Sequence, residues 1–210
     1  MTEQVTIYVA VEGDLDEWVA RRLVAHVGAS CGPVYGKKGI SHLRERIQGY
    51  NHAAHTRPWL VLVDLDRADC PPALRNDWLP HPAPRMCFRI AVRAIEAWLL
   101  ADRSSLAQFL GVSTSRIPRT PEELPDPKQF LINLASQSRK RAIREGLVPG
   151  QGQRIGPAYN SYLIEFVRDV WNVTRAASNA PSLQRALHCL QRLIHSSLPT
   201  PPPGPVPGRG

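Results

Sequence analysis

Residues 59–66 read WLVLVDLD, and the fold turns on how that stretch is read. Five apolar residues follow Pro58 without interruption and end in acids, the pattern of a strand buried on both faces of a parallel sheet. Because side chains alternate along a strand, Asp64 and Asp66 are expected on one face and Leu65 on the other. The stretch therefore places a carboxylate pair at the C-terminal edge of a central strand. In open α/β sheets this edge is where ligands bind. Two carboxylates held close together repel unless a cation or a proton lies between them. A divalent cation is the natural counterion, with further ligands to come from elsewhere in the chain.

The flanking segments repeat the theme. Residues 5–12, VTIYVAVE, put Val5, Ile7, Val9 and Val11 on one face and Tyr8 and Ala10 on the other, a second buried strand ending in Glu12. Gly13 turns the chain, and Asp14 is a candidate N-cap for a helix whose first turn carries Asp16 and Glu17, where negative charge suits the helix dipole. Residues 33–40 predict a short strand running into a loop with Lys37 and Lys38, followed by a helix from about Ser41. Beyond residue 66 come a Pro-led short helix over 73–79, a strand over 86–92 and a helix over 94–101 with Glu96 in its first turn. Strand and helix alternate four times. The expected class is thus α/β, a mostly parallel sheet flanked by helices over residues 1–102.

From Arg103 the texture becomes helical. A short helix over 104–112 precedes a Pro-rich loop, and a helix is expected over 128–145 whose second half carries Arg139, Lys140, Arg141 and Arg144. Amphipathic helices follow over 159–171 and 182–194. Residues 103–197 thus form a helical C-terminal region packed on or beside the sheet. Residues 198–210, almost all Pro and Gly after Leu198, are expected to be a disordered tail.

The 210 residues suffice for one large or two small domains. No apolar run approaches the roughly 20 residues that span a bilayer, and no secretory leader is evident at Met1, so a cytoplasmic location without membrane contact is expected. Cys31, Cys70, Cys87 and Cys189 lack zinc or disulfide spacing and read as reduced, mostly buried thiols. His52 and His55 lie a helical turn apart with no third ligand nearby, the pattern of solvated helix-end histidines. The net charge is +8, and its distribution matters more than its size. Residues 1–102 hold 12 basic and 12 acidic side chains, against 14 and 6 in residues 103–210, so the whole excess lies in the helical half. Such asymmetry points to a polyanionic partner, with nucleic acid the leading candidate.

Glu12, Asp64, Asp66 and Glu96 all fall at an expected strand exit or in the helix just after one. Their order resembles the Toprim domain of topoisomerases, primases and overcoming-lysogenization-defect nucleases, in which a glutamate after the first strand and an Asp-x-Asp after a later one share a magnesium site. The chain is similar, more closely, to a bacterial family of Toprim-like proteins known as domain-of-unknown-function family 4276. The similar stretches are VEGDLDE at 11–17, LVDLDRADCP at 62–71, AIEAWLLAD at 94–102 and DPK at 126–128, together with a pattern from Gly156 through Trp171 to Ser182 and Leu183.

The resemblance implies a Mg²⁺ (or Mn²⁺) site and a metal-dependent nuclease of DNA or RNA, with a neighbouring ATPase as partner in antiphage defence for some related proteins. On that reading Asp64 and Asp66 bind metal, Glu12 binds metal or acts as general base, and Glu96 completes a second metal site or orients the first. Lys37, Lys38, Arg139, Lys140, Arg141 and Arg144 are the candidates for holding phosphates. Simpler readings stand beside these. Glu12 could pair with Arg21 or Arg22, Asp64 and Asp66 could cap the next segment, Glu96 could serve only the helix dipole, and the basic run could be solvated surface. The alternative function is a non-catalytic module that binds nucleic acid or regulates a partner.

Overall fold

Four short segments pair in parallel, and each is followed by a helix because parallel neighbours need a crossover. The strands are β1 (Thr6–Val11), β2 (Ser30–Gly36), β3 (Trp59–Asp64) and β4 (Met86–Ala91), in the order β2-β1-β3-β4. The helices α1 (Asp14–His26), α2 (Ile40–Ala53), α3 (Pro71–Trp78) and α4 (Ile95–Ala101) leave the four strands in turn. The structure, a computed structural model, describes residues 4–197. The expected tail at 198–210 lies outside the described residues. The α/β class, the parallel sheet and the helical C-terminal part are as the sequence predicts.

Alternation sorts the strand residues into two cores. Ile7, Val9, Val11, Leu60, Leu62 and Cys87 face one way and meet Val19, Leu23 and Val24 of α1. Ala10, Val61, Val63, Phe88 and Ile90 face the other and meet Leu43 and Ile47 of α2 with Trp78. All five apolar residues of β3 from Trp59 to Val63 are buried, as a strand covered on both faces requires.

The C-terminal helices are α5 (Arg103–Leu110), α6 (Pro127–Ser136), α7 (Arg141–Leu147), α8 (Tyr159–Asp169), α9 (Val173–Ala177) and α10 (Pro181–Ser197). Leu163, Phe166 and Val167 of α8 and Leu183, Leu187 and Leu190 of α10 join the core on the α1 face of the sheet. This region is therefore a layer on the sheet. Fully burying each such side chain contributes about 1.5–3 kcal/mol. One buried hydroxyl fastens the layer: Ser182 Oγ accepts from Trp98 Nε1 at 2.7 Å and from Val92 N at 3.3 Å, and donates to Glu122 Oε1 at 2.6 Å. Among the described residues no helix is long and apolar enough to cross a membrane.

Two local expectations are corrected. β3 ends at Asp64, and Asp66 takes the left-handed φ of +49° that Asp tolerates better than most residues, so the two aspartates do not share a strand face. The single helix expected over 128–145 is two, α6 and α7, broken at 137–140. Buried Ser138 is the cause. Its hydroxyl bonds Leu110 O and accepts from Lys140 N at 2.9 Å, a local arrangement that competes with helix continuation.

Candidate metal and phosphate site

The strand order decides which acids meet. β1 and β3 are neighbours, so Glu12, one residue past β1, reaches the end of β3: its Oε1 accepts from Asp64 N at 2.9 Å. β4 lies on the other side of β3, and the chain leaving it delivers Ile95, whose N–H donates to Asp64 Oδ1 at 2.9 Å. Glu96 follows in the first turn of α4 and is turned inward, 3% exposed, with Oε1 accepting from Tyr159 Oη at 3.0 Å. Neither Arg21 nor Arg22 pairs with Glu12, since Arg21 bonds Glu17 and Arg22 bonds Trp171 O. Asp66 lies at the exposed rim, its N–H donating to Arg93 O at 2.9 Å.

A fifth carboxylate joins them. Asp16 is the third residue of α1, and its carboxylate lies beside Gly13, the helix's N-cap, whose backbone N–H opposes the rise of its carboxyl. The sequence showed the first-turn position of Asp16 but not its proximity to Glu96, which depends on α1 and α4 meeting at the same edge.

The acids strain one another electrostatically. Burial, followed by the charges of Asp16, Glu96, Glu12 and Asp66, pushes the Asp64 carboxyl well above its ordinary value. Glu12 is raised to about 7, chiefly by burial and then by Asp16 and Asp66, against the lowering effect of the Asp64 N–H. Asp16 is raised to about 6 by burial and the charge of Glu96. Burial and the neighbouring Glu96 carboxylate also raise the Tyr159 phenol, which keeps it a hydrogen-bond donor. Without a cation the cluster retains protons well into the neutral range.

One cation comes from the helical layer. Lys128, the second residue of α6, places Nζ 3.7 Å from Glu96 Oε1 and 5.7 Å from the centre of the Tyr159 ring. Its opposite charge also lowers Glu12 and Asp16. The acids open into a cleft of about 670 Å³ whose wall carries Asp64, Asp66, Glu96 and Asp126 together with Arg67, Arg93, Lys128 and Arg154. Four acids and four bases thus face one space, a pairing suited to a hard cation beside an anionic substrate.

The donor set consists of carboxylate oxygens, the ligand type that a hard cation such as Mg²⁺ takes. Among the described residues no three His, Cys, Asp or Glu side chains converge as a ready metal cage. Mg²⁺ commonly binds through one or two carboxylates, retaining waters and taking substrate phosphates for the rest. Asp64 and Glu12 meet that smaller requirement: each has one oxygen held by a backbone N–H, and neither second oxygen makes a hydrogen bond to the described residues. All the donors are oxygens, and their mutual repulsion would be relieved by a divalent charge.

The basic residues singled out from sequence lie differently. Lys37 pairs with Asp14 at 3.1 Å and Glu17 at 2.9 Å. Lys140 Nζ donates to the carbonyls of Gln108 and Phe109 near the end of α5, Arg144 donates to Ser138 O, and Arg141 pairs with Glu145 at 2.6 Å. Those three contacts reinforce helix ends and a helix face. Lys38 and Arg139 make no side-chain bond among the described residues, and none of the six lines the acidic cleft. The cations that do line it, Arg67, Arg93, Lys128 and Arg154, were missed because they are isolated in sequence. The stretches LVDLDRADCP at 62–71 and DPK at 126–128 contain two of them, Arg67 and Lys128. His52 and His55 face each other at 6.3 Å between ring centres, away from the acids. Comparison of the chain with protein-family models, with curated proteins and with solved structures gives no match.

Proposed function

We propose that this cleft is a Mg²⁺-dependent phosphodiesterase site acting on nucleic acid, of the Toprim type that the sequence resembles. The observation that carries the proposal is that mutually repelling Glu12, Asp16, Asp64 and Glu96 gather at one sheet edge, which opens through Asp64, Asp66 and Glu96 into a cleft with Lys128 and three arginines on its wall. Asp64 and Glu12 would hold the ion, with Asp66 at the rim as an added ligand on substrate binding. Bound there, Mg²⁺ supplies Lewis-acid polarisation of a phosphoryl oxygen and a more acidic water.

The chain's own groups do the rest. Arg67 and Arg154 on the wall can hold phosphates flanking the scissile bond, where guanidinium forks match phosphate geometry, while Arg93 donates to Asp66 O and Ala68 O and ties down the rim. Glu12, whose second oxygen makes no hydrogen bond to the described residues, would either ligate the ion or, left unligated, accept a proton from the attacking water. Lys128 balances Glu96 and can donate to developing negative charge on a leaving oxygen. Tyr159 fixes the Glu96 rotamer.

The expected result is cleavage of plasmid or oligonucleotide that requires Mg²⁺ or Mn²⁺ and is lost in Asp64→Ala. Metal-dependent cleavage that survives Asp64→Ala would overturn the assignment. A partner ATPase in an antiphage system is part of this reading through the resemblance alone. Its check is whether an added ATPase from the same operon raises the cleavage rate. The alternative, a non-catalytic binding module, predicts salt-sensitive nucleic-acid binding with no cleavage at any metal concentration.

A further inference from the structure

Four aromatic rings cluster on the α2 face of the sheet. Trp59 lies 5.4 Å from Tyr8, 5.3 Å from Tyr35 and 5.1 Å from Tyr50 between ring centres, and Tyr35 lies 6.3 Å from Tyr50. Trp59 is buried beneath the others. Tyr35, on edge strand β2, is 42% exposed, whereas most large apolar side chains of the fold are covered. Cations border the cluster: Arg57 sits 5.3 Å above the Tyr8 ring, and Arg46 is close enough to Tyr50 to lower its phenol against the effect of burial. Lys38, three residues beyond Tyr35, is exposed and makes no side-chain bond among the described residues.

The cluster lies toward the strand starts, with Trp59 opening β3 and paired with Tyr8. Tyr35, in register with Ala10 two residues before Glu12, is its member nearest the acidic edge. At about 3.3 Å per residue the length of β3 sets Trp59 about 17 Å from Asp64, the span a bound strand would cross. Gly36, Lys37 and Lys38 follow Tyr35, and Gly36 is held at φ +88° against Val11 O, where any Cβ would clash.

We infer that the exposed Tyr35 ring, backed by Trp59 and Tyr50, is a stacking platform for a base of single-stranded nucleic acid whose backbone runs past Lys38 into the acidic cleft. The inference rests on the phosphodiesterase reading for the destination of the strand, but the platform binds whether or not the strand is cut. An aromatic face with cations beside it suits unstacked bases and flanking phosphates, while duplex bases, already stacked on each other, cannot lie on it.

The test is fluorescence anisotropy with a labelled 15-nucleotide oligothymidylate and a 15-base-pair duplex, in EDTA so that no cleavage intervenes. The expected result is preference for the single strand and a loss of about tenfold in affinity for both Tyr35→Ala and Tyr35→Leu, with Tyr35→Phe near wild type. Leu retains packing on Trp59 without a π-face, so it separates stacking from loss of fold, and a thermal melt of each variant confirms folding. Lys38→Ala is expected to flatten the salt dependence. Equal binding of the two substrates, or full affinity in Tyr35→Leu, would overturn the platform. Intact Tyr35-dependent binding without metal-dependent cleavage would uphold it while refuting the enzyme reading.

Discussion

Replacing Glu12 by Gln should stabilise the protein at alkaline pH and leave it nearly unchanged in acid. The carboxamide has the shape of a protonated carboxyl, and its Oε1 can still accept from Asp64 N, so the variant removes charge and little else. Glu12 titrates near 4.5 when unfolded and near 7 when folded. The folded state therefore binds more protons between those values, and stability falls as pH rises through that window. Each unit of difference corresponds to about 1.4 kcal/mol, so the rise from 4.5 to about 7 gives an upper bound of about 3.5 kcal/mol above pH 7. Solvent screening of the partly exposed side chain and coupling to Asp16 and Asp64 reduce this to about 1–2 kcal/mol. For a chain of this size that is about 2–8 °C in Tm. Thermal melts of wild type and Glu12→Gln at pH 4.5 and pH 8.5 in EDTA are the assay. The expected difference is a higher Tm for the variant at pH 8.5 and coincident curves at pH 4.5. A variant that is less stable by the same amount at both pH values would refute the electrostatic account and make Glu12 a simple hydrogen-bonding residue.

Mg²⁺ should reverse that pattern, raising the wild-type Tm more at pH 8 than at pH 5, where bound protons compete with it, and raising Asp64→Asn little at either pH, as read by the same melts. Lys128→Met should leave Glu96 buried beside Tyr159 without its nearby cation, costing about 1–2 kcal/mol in urea unfolding and lowering any cleavage rate at least tenfold. Ser182→Ala deprives Trp98 Nε1 and Val92 N of their acceptor and Glu122 of a donor, so a loss of about 2–3 kcal/mol is expected, with near-UV circular dichroism reporting the loosened tryptophan.

The inner strands were legible in sequence because β1 and β3 are covered on both faces. WLVLV is a continuous apolar run and VTIYVAV is broken only at Thr6, as a covered parallel sheet imposes. Three of the acids were legible for a related reason: Glu12, Asp64 and Glu96 follow strands, and a parallel sheet sends every strand end to one edge. What eluded the sequence depends on contacts across long separations or on single backbone angles. Lys128 reaches Glu96 across 32 positions because α6 packs against α4, and no local pattern encodes that meeting. The left-handed φ of Asp66 breaks the alternation that would have paired it with Asp64. Ser138 divides a run whose helix-forming residues read as continuous. The densest basic run, 139–144, proved the poorest guide to the cleft, since three of its four cations are occupied with helix ends and a neighbouring glutamate.

The central claim is that the clustered carboxylates at the β1–β3 edge bind a divalent cation and use it to cut phosphodiesters. Its most direct test is cleavage of end-labelled single-stranded oligonucleotide by wild type and Asp64→Asn over a Mg²⁺ titration, with the variant's fold confirmed by melting. The account predicts cleavage by the wild type that rises with Mg²⁺ and stops in EDTA, and none above background in the variant. Wild-type cleavage that is indifferent to EDTA, or equal in Asp64→Asn, would contradict it.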